Sequence, residues 1–527
     1  MIPESVRTQP PLPLGWAVIV AAASGPILDA GFPDLGIWPL TFLGIGLVLL
    51  TLVGRRIGGA ILVSLVAGLS FYLTHISWAS LFLGLLPMTA LSVLESLFFA
   101  LGAVAITLAY RWLPGVWPST AGRLLLLPAV VAGLWTAREA WASVWPYGGF
   151  AWGRMSLSQS ESPISSLFPW LGASGVSFAM VFFVAAALAA VIELFARRSR
   201  LAAAPVPSIH PSVLRIVVAP VAILTVMVAL PAWPVVTDGS IRVAAVQGNG
   251  AAGYFQGSTS DELIQAQANA TMPLFGQDVD VVLWPEGTTF RDPTTDQYTG
   301  KVFDYITKQM DAPLVAQGVT QRGDKLFNTA VLWENGEGVV DYFDKRHPVP
   351  FGEYIPDRAF WRPFAPDLID LIQRDYTPGS TDLTFDINGI ITGITICFDI
   401  VDDQVLYDSV REGAQVLFSS SNNADFGHTD ESVQQLAIAK IRAMELGRSL
   451  VNVSTVGITA VIAPDGSITA ELPWFTEGSL VEDVPLSTTV TPALVVGRQI
   501  EWSVSILGLA ALIMAGFVGR SRRQQHD

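Results

Sequence analysis

The sequence predicts a polytopic α-helical membrane bundle of about eight spans, joined to a soluble α/β domain. Hydrophobic residues make up 51% of the 527-residue chain and charged residues only 14%, whereas soluble domains carry about 25% charged residues. The apolar runs concentrate before residue 235 and again near the C-terminus, while the stretch between them has the composition of a soluble protein. We therefore expect two regions, each large enough to bury its own core.

Eight apolar runs are long enough to be candidate spans, because a membrane-spanning helix needs roughly 20 mostly apolar residues. They lie at about 14–31, 35–54, 57–76, 88–110, 122–138, 168–195, 214–232 and 502–519. The expected division is 1–235 for seven spans, 236–495 for the soluble domain, and 496–527 for the eighth span with a tail. The first run is not expected to be a cleaved signal peptide. Arg7 is the only basic residue before it, and further spans follow at once.

Arginine clusters in the short connecting segments predict the orientation, because such segments are enriched in Lys and Arg on the cytoplasmic side. The clusters are Arg55 with Arg56, Arg111 with Arg123, Arg197 with Arg198 and Arg200, and Arg520 with Arg522 and Arg523. With eight spans, all of them fall on one side. Both termini are then cytoplasmic and the soluble domain is extracytoplasmic, whereas an error of one span would move that domain to the cytoplasm.

The soluble stretch alternates apolar strands with helical segments. Strands are predicted at 241–247, 279–284, 312–317, 327–333, 383–385, 390–396, 415–420, 449–454 and 459–462, and helices at 261–275 and about 430–448. Asp386-Ile-Asn-Gly389 is typical of a hairpin turn. Continuous apolar strands are usually buried on both faces, so the pattern indicates a layered α/β structure.

Composition also limits the classes of function. The net charge of −15 gives no reason to expect nucleic-acid binding, which favours basic surfaces. Cys397 is the single cysteine, so it forms no intramolecular disulfide. No metal-ligand pattern stands out, and neither a metal nor a cofactor is expected. Taken alone, Cys397 is as compatible with a buried apolar side chain as with a nucleophile.

Three polar residues stand at positions that suggest chemistry. Glu286 follows the apolar run VVLWP, Lys345 lies in the loop YFDKRHPVPFGEYIP, and Cys397 ends the run GITIC. Residues at the carboxyl ends of strands commonly line the sites of α/β folds. Each also has a plain structural explanation, as a turn acid, a solvated lysine and a buried thiol. Spacing alone does not bring them together.

Together, these residue types would support acyl transfer through a thioester. A carboxylate can accept the thiol proton, and a nearby ammonium can favour the thiolate and stabilise the oxyanion of a tetrahedral intermediate. The amide N–H of Phe398, directly after the nucleophile, is a candidate second oxyanion donor.

The three motifs, in this order, resemble the nitrilase (carbon–nitrogen hydrolase) superfamily. With seven spans before them and one after, the chain resembles the apolipoprotein N-acyltransferase family over nearly its whole length. The matching segments are Val246-Gln-Gly-Asn249, Trp284-Pro-Glu286, Lys345 with Pro350-Phe-Gly-Glu353-Tyr-Ile-Pro356, Arg442-Ala-Met-Glu445-Leu-Gly-Arg448, and Gly149-Phe-Ala-Trp152. The resemblance implies an αββα sandwich with a Glu286–Lys345–Cys397 triad, in a multi-pass protein of the bacterial plasma (inner) membrane.

The resemblance also implies the substrates and the supporting residues. An acyl chain would pass from a phospholipid to Cys397, and then to the amine of a diacylglyceryl-cysteine at an apolipoprotein N-terminus. Glu353 would orient Lys345. The residues expected to shape the substrate pocket or support the oxyanion are Phe398, Asp399, Asn328 and Trp152. The expected partners are these two substrates and the lipid bilayer, and the expected state is a monomer.

Several positions depart from the family pattern. Cys397-Phe398-Asp399 stands where the family commonly has Cys-Tyr-Glu, and Asn422-Asn-Ala-Asp-Phe426 replaces Ser-Asn-Asp-x-Trp-Phe. Gln435 occupies a position where histidine is often found. Because the triad is intact, these changes bear on substrate preference more than on activity.

Two other functions are compatible with the sequence. One is a membrane-anchored amidase or nitrilase that hydrolyses a small soluble substrate, although one span would suffice to anchor it. The other is a transporter or scaffold with a degenerate domain, which should carry charges along a pathway through its spans. Few charges lie within the predicted spans, and the acidic residues among them are Asp29, Glu95 and Glu193.

Overall fold

The computed structural model describes residues 10–201 and 211–524. Arg7 and the side chains of the arginines at 197–200 and 520–523 lie outside the described part. The chain divides into two compact units. The first contains residues up to 80, 84–233 and those from 495 onward, and the second contains 81–83 and 234–494.

The helices are α1 Leu14–Asp29, α2 Pro39–Leu52, α3 Ile57–His75, α4 Ser80–Leu83, α5 Leu85–Val116, α6 Leu127–Ala142, α7 Phe168–Leu201, α8 Pro211–Ala229, α9 Ser260–Thr271, α10 Gln297–Met310, α11 Arg358–Trp361, α12 Pro366–Ile369, α13 Asp403–Arg411, α14 Asp430–Leu446 and α15 Pro492–Gln524. The strands are β1 Thr237–Gln247, β2 Val281–Leu283, β3 Leu314–Arg322, β4 Lys325–Glu334, β5 Gly338–Asp344, β6 Thr384–Ile387, β7 Ile390–Ile396, β8 Val416–Ser421, β9 Ser449–Ser454, β10 Thr459–Ile462, β11 Ile468–Leu472 and β12 Gly478–Ser487.

The first unit is a bundle of apolar helices, as predicted. Within the described residues, five helical segments are long and apolar enough to cross a membrane: Ile57–His75, Leu85–Val116, Gly122–Ala142, Ser165–Phe195 and Pro492–Gly519. Three shorter apolar helices, Leu14–Asp29, Pro39–Leu52 and Ile216–Ala229, coincide with the other three predicted runs. A membrane bundle is therefore confirmed, and the number of eight spans stays a prediction.

Small residues allow the helices of this bundle to approach closely, as is common in membranes. A Cβ atom built on Gly25 of α1 would lie 2.1 Å from Ser70 Oγ of α3. One built on Gly133 of α6 would lie 2.4 Å from the carbonyl oxygen of Val504 in α15. A larger residue at either position would force the two helices apart.

The segment after α6 packs within the first unit. Glu139 of α6 accepts hydrogen bonds from Trp135 Nε1 (2.8 Å) and from the backbone N–H of Met155 (3.2 Å). Trp145 is 54% exposed, whereas Trp152 is only 3% exposed. The Trp152 ring packs against Trp78, with centroids 5.5 Å apart.

The second unit contains two six-stranded sheets, in the orders β12-β1-β2-β3-β4-β5 and β11-β10-β9-β8-β7-β6. Their inner faces share one core, which includes Ile241, Val281, Leu332, Ile394, Val416 and Val451. The outer face of the first sheet packs against α9 and α10, and α13 and α14 pack against β7 and β9 of the second. The αββα sandwich is confirmed.

Parallel strand pairs fix where the polar residues emerge. β1 pairs with β2, and β7 with β8, in parallel. Because the carboxyl ends of parallel strands meet at one edge of a sheet, the residues that follow β7 and β8 emerge side by side. A hydrogen bond from Asn422, after β8, to Glu286, after β2, joins them to the first sheet. Seven helices and strands between residues 234 and 494 were not predicted, namely α10, α11, α12, α13, β5, β11 and β12. β5 is the one that matters for the site, since Lys345 follows it directly.

Candidate active site

Glu286 lies three residues beyond β2, and both of its carboxylate oxygens accept hydrogen bonds. Oε1 accepts from Asn328 Nδ2 (2.7 Å) and Lys345 Nζ (3.2 Å). Oε2 accepts from the backbone N–H of Asn422 (3.0 Å). Three donors from three separate segments hold the carboxylate in one orientation, as a base with a defined task requires.

Lys345 is a buried cation between two carboxylates. Its Nζ lies 3.2 Å from Glu286 Oε1 and 2.8 Å from Glu353 Oε2. Burial disfavours the ammonium, but the charges of Glu286 and Glu353 outweigh that penalty and hold the pKa of Lys345 well above its ordinary value. Asn328 Nδ2 also donates to Glu353 Oε1 (2.9 Å). The lysine therefore stays charged and cannot act as a base.

Cys397 stands at the end of β7, where a 3₁₀ turn over Cys397–Val401 begins. Its φ of 49° lies in the left-handed region, which costs a non-glycine residue about 1–2 kcal/mol. Burial and the negative charge of Glu286 raise the pKa of the thiol well above its ordinary value, although Lys345 opposes them. The resting side chain is therefore a thiol, and a base must take its proton before it can attack.

Asp399 links two segments of the site. One is the loop that follows β5 and contains Lys345, which we call the lysine loop, and the other is the 3₁₀ turn Cys397–Val401, which we call the cysteine turn. The buried carboxylate of Asp399 accepts hydrogen bonds from the backbone N–H groups of Arg346 (3.1 Å) and His347 (2.8 Å). It also lies 3.2 Å from His347 Nδ1. Burial opposes protonation of His347, but Asp399 and Asp402 overcome this and raise its pKa. The ring is thus drawn toward the charged form that pairs with Asp399.

The arrangement combines a fixed carboxylate, a permanent ammonium and a protonated thiol. A carboxylate near a thiol can act as its general base, and an ammonium can stabilise the oxyanion of a tetrahedral intermediate. Within the part of the chain that the structure describes, no group of three or more His, Cys, Asp or Glu side chains is arranged to hold a metal ion. The chemistry that these groups support is acyl transfer through a covalent intermediate.

Family models match both units. Residues 24–186 match the N-terminal domain of apolipoprotein N-acyltransferase, and residues 242–491 match carbon–nitrogen hydrolase. An apolipoprotein N-acyltransferase of Mycolicibacterium smegmatis is 32% identical over 94% of this chain and 84% of its own length. The chain belongs to the apolipoprotein N-acyltransferase family. A second relative of that name, from Shewanella oneidensis, is 29% identical over 87% of each chain.

Solved structures of other proteins are similar to about half of this apolipoprotein N-acyltransferase family member. Nit3 of Saccharomyces cerevisiae, of the nitrilase superfamily, is 18% identical with a TM-score of 0.37, over 50% of this chain and 94% of its own. An amidase from Nesterenkonia is 17% identical with a TM-score of 0.35, over 48% of this chain and 93% of its own. The family predicted from the motifs is confirmed, and the roles of the individual site residues stay predictions.

The structure brings together most of the residues that the family resemblance suggested. Hydrogen bonds and ion pairs link Glu286, Asn328, Lys345 and Glu353 into one network. Phe398 follows Cys397 and is half-buried. Asp399, expected to shape the substrate pocket or support the oxyanion, is fully buried and accepts a hydrogen bond from the backbone N–H of His347. Trp152 belongs to the first unit.

The Arg442-Ala-Met-Glu445 segment, which resembles the family pattern, has a structural explanation. Arg442 of α14 donates to the backbone carbonyls of Ile400 (2.9 Å) and Val401 (2.8 Å) in the cysteine turn. It also pairs with Glu445 at 2.6 Å. These bonds fix α14 against the turn that begins with Cys397.

Sequence reasoning missed the groups on the other side of Glu286. The backbone N–H of Asn422 carries no signature in the sequence, because every non-proline residue has one. Two departures from the family pattern turn out to touch each other: Asn423 Nδ2 donates to Gln435 Oε1 at 2.7 Å. The signal in the sequence for this pair is that both residues depart from the family pattern.

Proposed function

We propose that this protein transfers an acyl chain from a phospholipid to the N-terminal amine of diacylglyceryl-cysteine in apolipoproteins, through a thioester on Cys397. The supporting observation is that the 32% identical relative of that name aligns over 94% of the chain, through both units. A fixed carboxylate, an ammonium and a thiol in the second unit supply the groups that this chemistry needs.

The first half-reaction forms the thioester. Glu286 takes the proton from Cys397 Sγ, and the thiolate attacks the carbonyl carbon of a phospholipid ester. The tetrahedral oxyanion is stabilised by Lys345 and the amide N–H of Phe398. A C–S bond forms and the ester C–O bond breaks. The leaving alkoxide of the lysophospholipid takes the proton from Glu286.

The second half-reaction transfers the acyl group to nitrogen. The neutral α-amine of the lipoprotein attacks the thioester carbonyl, and Glu286 takes a proton from the attacking nitrogen. The C–N bond forms, the C–S bond breaks, and Glu286 returns the proton to the Cys397 thiolate. An α-amine with its ordinary pKa of about 7.7–8.0 reaches its neutral form at mildly alkaline pH.

A two-stage labelling experiment tests this function. Purified enzyme is incubated with a phospholipid carrying a labelled acyl chain, and the mass of the peptide containing Cys397 is measured. A diacylated lipopeptide is then added. We expect an acyl adduct on Cys397 that disappears as labelled triacylated peptide forms, and no adduct in Cys397→Ala.

Two results would contradict the proposal. Loss of the adduct to water at the same rate with and without the lipopeptide would indicate a hydrolase. Full transfer activity in Cys397→Ala would exclude the thioester.

We further propose that the second unit lies outside the cytoplasm, supported by the arginine clusters of the sequence. Since Cys397 is the single cysteine, Cys397→Ala gives a background for single-cysteine variants. In intact spheroplasts, a membrane-impermeant maleimide should label Asp324→Cys, in an exposed turn of the second unit, and spare Gly58→Cys, at the start of α3. The opposite labelling would reverse the orientation.

A further inference from the structure

A buried cluster on α14 surrounds the side chain of Asn423. Asn423 Nδ2 donates to Glu431 Oε2 and to Gln435 Oε1, both at 2.7 Å. Each of the three side chains is only 2% exposed. Glu431 and Gln435 lie four residues apart, on one face of the helix. Both protons of the Asn423 amide group are therefore directed at α14.

The oxygen of the same side chain is held from the opposite side. Asn423 Oδ1 accepts from Ser454 Oγ (2.5 Å) and Ser421 Oγ (3.3 Å). Ser454 Oγ in turn accepts from the backbone N–H of Gly457 (2.8 Å). A Cβ atom at Gly457 would lie 2.2 Å from Asn423 Oδ1, so only glycine fits there without displacing Asn423. Four hydrogen bonds therefore hold the Asn423 side chain, two through Nδ2 and two through Oδ1.

This fixed side chain sits next in sequence to the donor that reaches Glu286. The backbone N–H of Asn422 gives Glu286 Oε2 its hydrogen bond, at 3.0 Å. A second hydrogen bond holds Asn422 in place, because its Nδ2 donates to the carbonyl oxygen of Ala252 at 2.9 Å. A rotation of the turn after β8 would carry the Asn422 N–H away from the carboxylate.

We infer that Glu431, Asn423 and Gln435 form a positioning cluster that holds the Asn422 N–H on Glu286 and so sets the efficiency of proton removal from Cys397. The inference rests on the proposed role of Glu286 as the base. Glu431 is a positioning residue here, since it acts through Asn423 and Asn422.

Glu431 fits this role as an uncharged acid. Burial raises its pKa to about 8, with the negative charge of Glu286 adding to the effect and the hydrogen bond from Asn423 opposing it. At neutral pH the side chain is therefore mostly protonated, and its Oε2 serves as a neutral acceptor. A glutamine has the same shape and the same acceptor, so Glu431→Gln should preserve the cluster.

The test compares Glu431→Ala, Glu431→Gln and Gly457→Ala in the full-length protein, with the exposed Glu337→Ala as the control. The rate of Cys397 acylation by labelled phospholipid is measured across pH. Glu431→Ala and Gly457→Ala should slow it by on the order of 10-fold to 100-fold, the usual effect of one hydrogen bond to a charged group. The acid limb of the pH–rate profile of these two variants should also move to higher pH, since Glu286 loses a donor to its ionised form. Glu431→Gln should restore both.

The same variants are also alkylated at Cys397 with iodoacetamide across pH. This readout depends on the Glu286-assisted thiolate and not on any lipid, so it separates the inference from the proposed substrates. A wild-type enzyme that alkylates normally yet forms no acyl adduct would contradict the proposed function alone. A folded Glu431→Ala with wild-type alkylation and pH profile would overturn the inference. The inference would also be overturned if Glu431→Gln were as slow as Glu431→Ala. That result would mean that the Glu431 carboxyl acts by its charge and not as a neutral acceptor.

Discussion

The two oxygens of Glu286 are held by surroundings of opposite character. On the Oε1 side, Lys345 forms ion pairs with Glu286 and Glu353, and Asn328 bridges the two carboxylates. On the Oε2 side, the donor is the backbone N–H of Asn422, and behind it stands the neutral cluster of Asn423, Gln435 and Glu431. We call these the charged side and the neutral side.

Under the proposed mechanism, the two sides have different tasks. Lys345 on the charged side supplies the positive charge that a developing oxyanion needs, and charge–charge interactions in a buried site are strong. The hydrogen bond on the neutral side orients Glu286 without adding positive charge that would weaken it as a base. Removal of the Lys345 ammonium should therefore have the largest effect on rate.

The largest effect is expected from Lys345→Met. The change removes the only ion-pair partner that Glu286 has among the described residues and leaves two carboxylates around Asn328. Loss of the oxyanion-stabilising charge should lower kcat/KM by on the order of 10²–10³-fold or more. Lys301→Met, at an exposed position of α10, is the matched control. If Lys345→Met keeps a tenth of the wild-type kcat/KM, the ammonium does not stabilise the transition state.

A smaller effect is expected from Asn328→Ala. Asn328 donates to both Glu286 and Glu353, and a hydrogen bond to a charged group contributes about 1.5–3 kcal/mol. The rate of Cys397 acylation should fall about 10-fold to 100-fold, because both carboxylates lose a donor. Asn328→Asp should fall further, since a third carboxylate would face the first two. Equal rates for the two variants would mean that charge repulsion is unimportant on this side.

The charged side was accessible to sequence reasoning and the neutral side was not. Glu286 follows an uninterrupted apolar run and Cys397 follows a largely apolar one, and such runs predict buried central strands whose ends line a site. Lys345 was found by its distinctive loop, although β5 before it was missed. That strand has alternating, partly exposed residues, so no apolar run revealed it.

The neutral side depends on features that residue types do not encode. A backbone N–H is present at every non-proline position, so nothing marked Asn422 as a donor. Asn423 and Gln435 are twelve residues apart, on a turn and on α14, and only the packing of that helix brings them within 2.7 Å. α10 and α13 were missed because their polar faces dilute the apolar signal that identified the membrane helices.

A third and smaller effect concerns the bond between the lysine loop and the cysteine turn. His347 has a raised pKa because Asp399 and Asp402 outweigh its burial. A group whose pKa is raised on folding stabilises the fold below its unfolded value, about 6.5, and loses that contribution as pH rises through the folded value. The melting temperature of wild type should therefore exceed that of His347→Asn by more at pH 5.5 than at pH 9.

Asp399→Asn provides the control for this prediction. In that background the ring loses its main ionic partner, so His347→Asn should have much the same effect at both pH values. A pH-dependent difference of full size in the Asp399→Asn background would show that another group raises the pKa of His347. The double-mutant cycle isolates the pairwise contribution.

The smallest effect concerns thermal stability. At alkaline pH, the melting temperature should rise for a substitution on the neutral side and fall for one on the charged side. In the folded protein the pKa of Glu431 is raised to about 8, whereas an unfolded glutamate has a pKa of about 4.3. Between these values the folded state holds a proton that the unfolded state has released, so stability falls as pH rises through this window. Glu431→Gln cannot titrate. Its melting temperature should match wild type near pH 4.5 and exceed it by a few degrees at pH 8.5.

Glu353→Gln, on the charged side, should behave in the opposite way. It removes a carboxylate that lies 2.8 Å from Lys345 Nζ, and losing one partner of a buried ion pair is strongly destabilising. Its melting temperature should therefore fall below that of wild type at pH 8.5, where that of Glu431→Gln rises. If both variants shift in the same direction at pH 8.5, the folded state does not hold a proton on Glu431, and the site does not have a charged side and a neutral side.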